Sequence, residues 1–192
     1  MSLIPAFEIG LWNAWIFMIW TIVIPILSSV LIKEKGVTEI LRTSVPMKYE
    51  KTLNVVSMAA VYIGFLYSIF LPLKFNTIWF YLGFLIFLFG FVFNLSVIVT
   101  IRSIKVNEPF MNGPYKYSRH PLYFALFVII ISISIMSISW VFLLIAIICG
   151  IHLYLVAPVE EKYCLKKYGN IYHEYIERTP RWIGLPKSGL KQ

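Results

Sequence analysis

From residue 77 to residue 101 the chain passes through twenty-five residues without one charged side chain. As a helix, a run of about twenty apolar residues is long enough to cross the hydrocarbon of a bilayer. Four further apolar runs occupy residues 11–32, 53–73, 122–136 and 140–157. Composition decides between a membrane and a soluble core: 59% of the residues are apolar, 14% are charged, and the mean hydropathy is +0.79. A soluble domain carries about 25% charged residues, so too little polar surface exists here to cover a globule in water. The expected fold is all-α, a polytopic membrane helix bundle of about five transmembrane helices in a single membrane domain, 1–192.

Within that domain residues 1–76 form an N-terminal helix pair and residues 77–192 a core. Gly83 and Gly90 in the third run permit close helix contact. The last two runs are each short and are joined by Ser137-Ile138-Ser139, which predicts a tight helical hairpin. Residues 158–192 read as a helical tail. Between 159 and 177 its apolar residues (Leu165, Tyr168, Tyr172, Tyr175, Ile176) recur at helical spacing, which predicts a helix lying on the membrane or against the bundle. Tyr168, Tyr172 and Tyr175 then form an interfacial aromatic face, and His152, inside a run, makes a helix–helix hydrogen bond.

The basic residues orient this bundle. Five Lys and Arg fall between the first two runs, only Lys74 between the second and third, four between the third and fourth, and seven in the tail. With five spans and the N-terminus outside, sixteen of the seventeen face the cytoplasm, as the positive-inside rule asks. The expected localisation is therefore integral membrane, multi-pass, with the C-terminal tail cytoplasmic. The same placement accounts for the net charge of +8 through topology and anionic membrane lipids, so no nucleic-acid partner is expected. Cys149 lies in an apolar run and Cys164 in the tail, which does not suggest a disulfide framework. No Cys or His pair has ligand spacing, so no metal is expected. Residues 1–10 hold Glu8 and no Lys or Arg, so a secretory signal is not expected. No phosphate-binding glycine loop is present.

Chemistry collects in two polar stretches assigned to the cytoplasmic side. The first is the loop 102–123, which ends in GPYKYSRHPLY (113–123). Pro121 suits the first turn of a helix and disfavours helical geometry at His120, so Arg119 and His120 are fixed at a helix mouth near lipid. Ionisable residues there mark a functional site by default. The second stretch is Glu160-Glu161 after the last run, with Arg178 and Arg181 further on. A loop, a helix pair and a tail on one side can enclose a water-soluble cofactor while a lipid-soluble substrate enters sideways from the bilayer.

The ordered set GPY (113–115), RHPLY (119–123), Glu160-Glu161 and KKYGNIYHEY (166–175) resembles the isoprenylcysteine carboxyl methyltransferase family. The resemblance covers about residues 95–182, and the set is shared with phospholipid N-methyltransferases and, more distantly, with sterol reductases. It implies S-adenosylmethionine as cofactor, with S-adenosylhomocysteine as product, bound without a Rossmann fold. By position it implies cofactor contacts from Asn107, Glu108, Pro109, Phe110, Tyr115, His120, Pro121, Leu122, Tyr123 and Glu161. Asn107 and Pro109 stand where the family prefers His and Leu, so contacts there would be mainly through backbone. The implied catalytic residues are Arg119, as the cation that orients the acceptor, and Glu160 on the substrate side. Val156 stands where eukaryotic members carry a substrate-facing Arg. The acceptor implied first is a lipophilic or prenylated molecule, an isoprenylcysteine-like carboxylate, with phospholipid N-methylation, a sterol-type reductase and a non-enzymatic bundle as alternatives.

Overall fold

The computed structural model describes residue 8 and residues 10–34, 48–105 and 108–187. Its helices are α1 (Trp15–Met18), α2 (Trp20–Glu34), α3 (Lys48–Ile69), α4 (Ile78–Ser103), α5 (Pro121–Ser137), α6 (Trp140–Tyr168) and α7 (Asn170–Arg178), with one 3₁₀ turn at Gly113–Lys116. Among the described residues there is no strand, only an isolated bridge between Asn13 and Pro72.

Local sequence explains the helix ends that position the loop. Thr77 caps α4, its hydroxyl accepting from Phe80 N at 3.2 Å. Pro121 opens α5 at its first turn, with His120 outside the helical region (φ −126°, ψ 57°). Ile138 takes a left-handed conformation (φ 53°) to end α5, and Ser139 caps α6 by accepting from Phe142 N. Helices α4 and α6 are long and apolar enough to cross a membrane, while 15–24, 59–69 and 121–137 are shorter apolar helices. Large apolar side chains on the outer face of α4, among them Leu85, Phe89, Val92 and Val99, are exposed as a lipid-facing surface requires.

The bundle is built on the antiparallel seam between α4 and α5. A Cβ added to Gly83 would stand 2.6 Å from Met136 Cγ and 2.8 Å from Ser132 O, and one added to Gly90 would stand 3.0 Å from Val128 Cγ1. Glycine at both positions therefore lets the backbones approach. Phe87, Ile98, Ile129, Ile133 and Met136 fill the seam and continue into Phe142, Ala146 and Cys149 of α6. Asn94 is fully buried in α4, with neither amide atom hydrogen-bonded among the described residues; nothing in the structure explains it. The N-terminal helices pack along the bundle, with Phe17 on Phe87 and Trp20 on Phe91, both at 4.8 Å, and Gly64 of α3 against Ile145 of α6. Asn13 Nδ2 donates to Ile69 O at 2.7 Å, and at the end remote from the loop Lys74 N donates to Met136 O at 3.1 Å.

Three expectations are corrected here. Helix α6 runs without interruption through Pro158 to Tyr168, so the tail does not begin at 158. Proline costs one main-chain hydrogen bond, and the remaining turns carry the helix across it. The chain breaks instead at Gly169 (φ 58°), splitting the single surface helix expected over 159–177. Tyr172 and Tyr175 are buried, 5% and 7% exposed, rather than interfacial. His152 Nδ1 is buried without a hydrogen-bond partner among the described residues, so the expected interhelical bond at that nitrogen is not made.

Candidate functional site

The end of α4, the start of α5 and the far end of α6 converge on one polar cluster. Glu161, on α6, has a side chain only 6% exposed. Its Oε1 accepts from Arg181 Nε at 2.9 Å and its Oε2 from Arg181 Nη2 at 2.8 Å, a two-pronged guanidinium–carboxylate pair. His120 Nε2 lies 3.2 Å from Oε1 of the same carboxylate. Arg119 Nε lies 3.3 Å from Oε1, close enough for ionic attraction. That contact is not aligned as a hydrogen bond, and neither Nε nor Nη1 of Arg119 has a hydrogen-bond partner among the described residues. Its side chain is nevertheless 9% exposed, so a buried cation is left with unused donors, which is costly unless something else accepts from them.

Glu160, one residue earlier, faces the other side of His120. Its Oε2 lies 3.5 Å from His120 Nδ1, and its Oε1 accepts from the Tyr123 hydroxyl. The Glu160 side chain is 23% exposed and so remains reachable. His120 thus stands between two carboxylates, with the Tyr123 ring stacked at 5.3 Å. Burial disfavours the His120 imidazolium, but hydrogen bonds and charge from Glu160 and Glu161 outweigh it and raise the pKa above its ordinary value.

A short strap after α7 closes the cluster on its outer side. Arg119 N donates to Pro180 O at 3.0 Å, His120 N to Arg181 O at 3.3 Å, and Gly184 N to Tyr117 O at 3.0 Å. Trp182 stacks on Tyr154 of α6 at 6.0 Å and stands 6.1 Å from the His120 ring. Tyr175 of α7 supports the loop from below, its hydroxyl donating to Tyr115 O at 2.7 Å. A groove of about 320 Å³ opens beside the 3₁₀ turn, lined by Met111, Lys116, Tyr175 and Arg178 among others.

Residues 78–171 match the phospholipid methyltransferase family model. The match spans 94 of the 192 residues, and with the two helices long and apolar enough to cross a membrane it supports a membrane methyltransferase core. The domain runs from the first residue of α4 to the second of α7, and it holds every member of the cluster except Arg181. The isoprenylcysteine resemblance is narrower than the match, which carries only the phospholipid methyltransferase description. A comparison with curated proteins returned no match.

Of the residues singled out from sequence, the fold brings together Arg119, His120, Tyr123, Glu160 and Glu161. Pro121 is buried at the start of α5, and Leu122 packs into the apolar layer above the cluster. Tyr115 lies in an adjacent apolar cluster with Val97 and Ile101, its ring 5.5 Å from Phe110. Glu108 is exposed and Pro109 half-buried at the edge of the loop, while Asn107 lies outside the described residues. Glu161, expected to contact cofactor, has Arg181, His120 and Arg119 against its oxygens. Arg178 pairs with Glu174 on the surface at 3.0 Å, away from the cluster. Sequence reasoning gives Arg181 no role beyond that of a basic tail residue, and it does not single out Trp182, Tyr154 or Ser118. The only signal for them was a basic–aromatic pair just beyond the last helix.

Proposed function

We propose that this protein transfers a methyl group from S-adenosylmethionine to the amine of a phospholipid headgroup at the membrane face. What carries the reading is a buried guanidinium with unused donors, Arg119, beside a reachable carboxylate, Glu160, inside a segment that matches the phospholipid methyltransferase family. A zwitterionic headgroup suits both groups: its phosphate accepts from Arg119 while its nitrogen lies toward Glu160.

The residues present fit the cofactor. The cavity beside the loop is lined by Lys116, Glu174, Tyr175 and Arg178, which offer cations for a carboxylate and a carboxylate for a ribose or an amine. Outside that groove, the resemblance assigns the cofactor's sulfonium end to Tyr115, His120, Pro121, Leu122 and Tyr123, where tyrosine rings would favour a sulfonium by about 0.5–2 kcal/mol of cation–π attraction. When bound, the cofactor supplies an electrophilic methyl group on a sulfonium. Arg119 holds the acceptor in line with it, and positioning of this kind is the larger part of catalysis in such displacements. Glu160 takes the proton that the acceptor nitrogen loses, assisted by His120 on its Oε2 side and by Tyr123 on its Oε1 side. The methyl group would pass from the sulfonium to the acceptor nitrogen, with S-adenosylhomocysteine as the product. The five-span topology, the cytoplasmic placement of the cluster and lateral access of lipid from the bilayer belong to the same proposal.

A second reading, carboxyl methylation of an isoprenylcysteine-like acceptor, is favoured by Arg119 alone. A carboxylate needs a cation and no base, and it leaves Glu160 without work. Mild alkali releases a methyl ester as methanol and leaves an N-methyl group in place, so alkali treatment of the product from labelled cofactor separates the two. For the class itself, S-adenosylhomocysteine at about 100 times its Kd should stabilise the folded protein by about 2.7 kcal/mol. No shift in folded, detergent-solubilised protein at saturation would remove the methyltransferase reading. Arg119→Ala and Glu160→Ala should each abolish transfer without unfolding the chain. Full activity in both variants would remove the roles assigned to them.

A further inference from the structure

The family match ends at residue 171, and the strap beyond α7 lies outside it. That strap is nevertheless locked to the loop in a single register. Arg181 acts there through two groups at once: its carbonyl accepts from His120 N and from the Ser118 hydroxyl, both at 3.3 Å, and its guanidinium forks onto Glu161. On α6, Tyr154 and Glu161 are seven residues apart and share one face. Trp182 docks on the first and Arg181 on the second.

We propose that Arg181, delivered by the strap, is a positioning residue of the methyl-transfer site: it fixes Glu161, and Glu161 in turn aligns Arg119 and His120. The inference rests on the methyltransferase reading above. Glu161 is the only carboxylate that touches Arg119 among the described residues. A carboxylate of a glutamate turns freely about its last torsion unless both oxygens are held. The Arg181 fork holds both, one prong on each oxygen, and so leaves the Oε1 edge facing Arg119 and His120. With the fork removed, the carboxylate is free to rotate onto Arg119, consuming the donors that are unused in the present geometry. Arg181 itself is the most exposed member of the Glu161 set, its side chain 33% exposed, and it points at Glu161 rather than at Arg119 or Glu160. It therefore acts through another residue and does not touch the reacting atoms.

The test measures kcat per S-adenosylhomocysteine-binding equivalent, so that molecules failing to fold drop out of the count. Arg181→Met should lower this kcat by about 100-fold, the scale of a misplacement near one ångström. Glu161→Gln should give a comparable loss, and the double variant should be no worse than the poorer single one, because residues acting as a unit are not additive. Arg181→Lys, which keeps the charge but not the fork, should recover only part of the rate and guards against a folding failure in the methionine variant. A kcat within threefold of wild type in Arg181→Met, or losses that multiply in the double variant, would overturn the inference. A wild-type protein that neither binds S-adenosylhomocysteine nor transfers methyl groups would instead overturn the reading it rests on, and that result is visible before any variant is made.

Discussion

With His120 neutral, the formal charges of Arg119, Arg181, Glu160 and Glu161 cancel; with a proton on its ring, the cluster holds one positive charge in excess. Burial opposes that proton, yet the two carboxylates flanking the ring outweigh the penalty and raise the pKa above its ordinary value of about 6.5. Between those two values the folded protein binds more protons than the unfolded chain. The contribution to stability is therefore full below about pH 6.5 and is lost as pH rises through the raised value. Melting midpoints followed upward from about pH 6 should fall for the wild type, and His120→Gln should flatten that slope. An unchanged slope in the variant would assign the proton elsewhere. Much of this cluster is legible in the sequence because its members stand in short polar strings, RHPLY and Glu160-Glu161, against apolar surroundings. Arg181 is not legible in the same way. One more arginine in a basic tail looks like an orientation charge, and only its contacts in the fold, the carbonyl on Ser118 and His120 and the guanidinium on Glu161, distinguish it.

Elements meet the site through the seam between α4 and α5, because the loop joining them carries Arg119 and His120. Glycines at 83 and 90 in a Phe-rich run are readable as close-contact positions, and the fold uses both that way. Gly83→Ala should destabilise the protein by about 1–3 kcal/mol, since the new Cβ meets main chain at Met136 N and Ser132 O as well as a side chain. Leu85→Ala, on the outward face of the same helix, removes no such contact and is the matched control; thermal unfolding in detergent of both variants checks the difference. The α6 boundary was not readable, since a proline with two glutamates one residue beyond it ordinarily marks an end. Here the polar turns after Pro158 stay helical because they have partners to reach. Glu160 meets Tyr123 and His120, Glu161 meets Arg181, and Lys166 and Lys167 favour the C-terminal end of the helix dipole.

At the scale of the whole molecule, charge and shape divide the bundle into two unlike ends. One end holds Lys74, whose N donates to Met136 O. The other holds the loop, the cluster and the strap with Lys116, Arg181 and Lys187. Helix α5 alone, at 17 residues, separates them by about 25 Å, close to the hydrocarbon thickness of a bilayer. The topology proposed above would put the second end in the cytoplasm, within reach of a water-soluble methyl donor and of the headgroups of the inner leaflet. After replacement of Cys149 and Cys164 by serine, Lys74→Cys should react with a membrane-impermeant maleimide on intact cells. Lys187→Cys should react only after permeabilisation. Labelling of both from outside would mean that α4 and α5 do not separate the two ends across the membrane, and labelling of Lys187→Cys alone would invert the protein. Either result would put the cluster out of reach of a cytoplasmic donor, since Arg181 and Glu161 are tied to the same end as Lys187 by the strap itself.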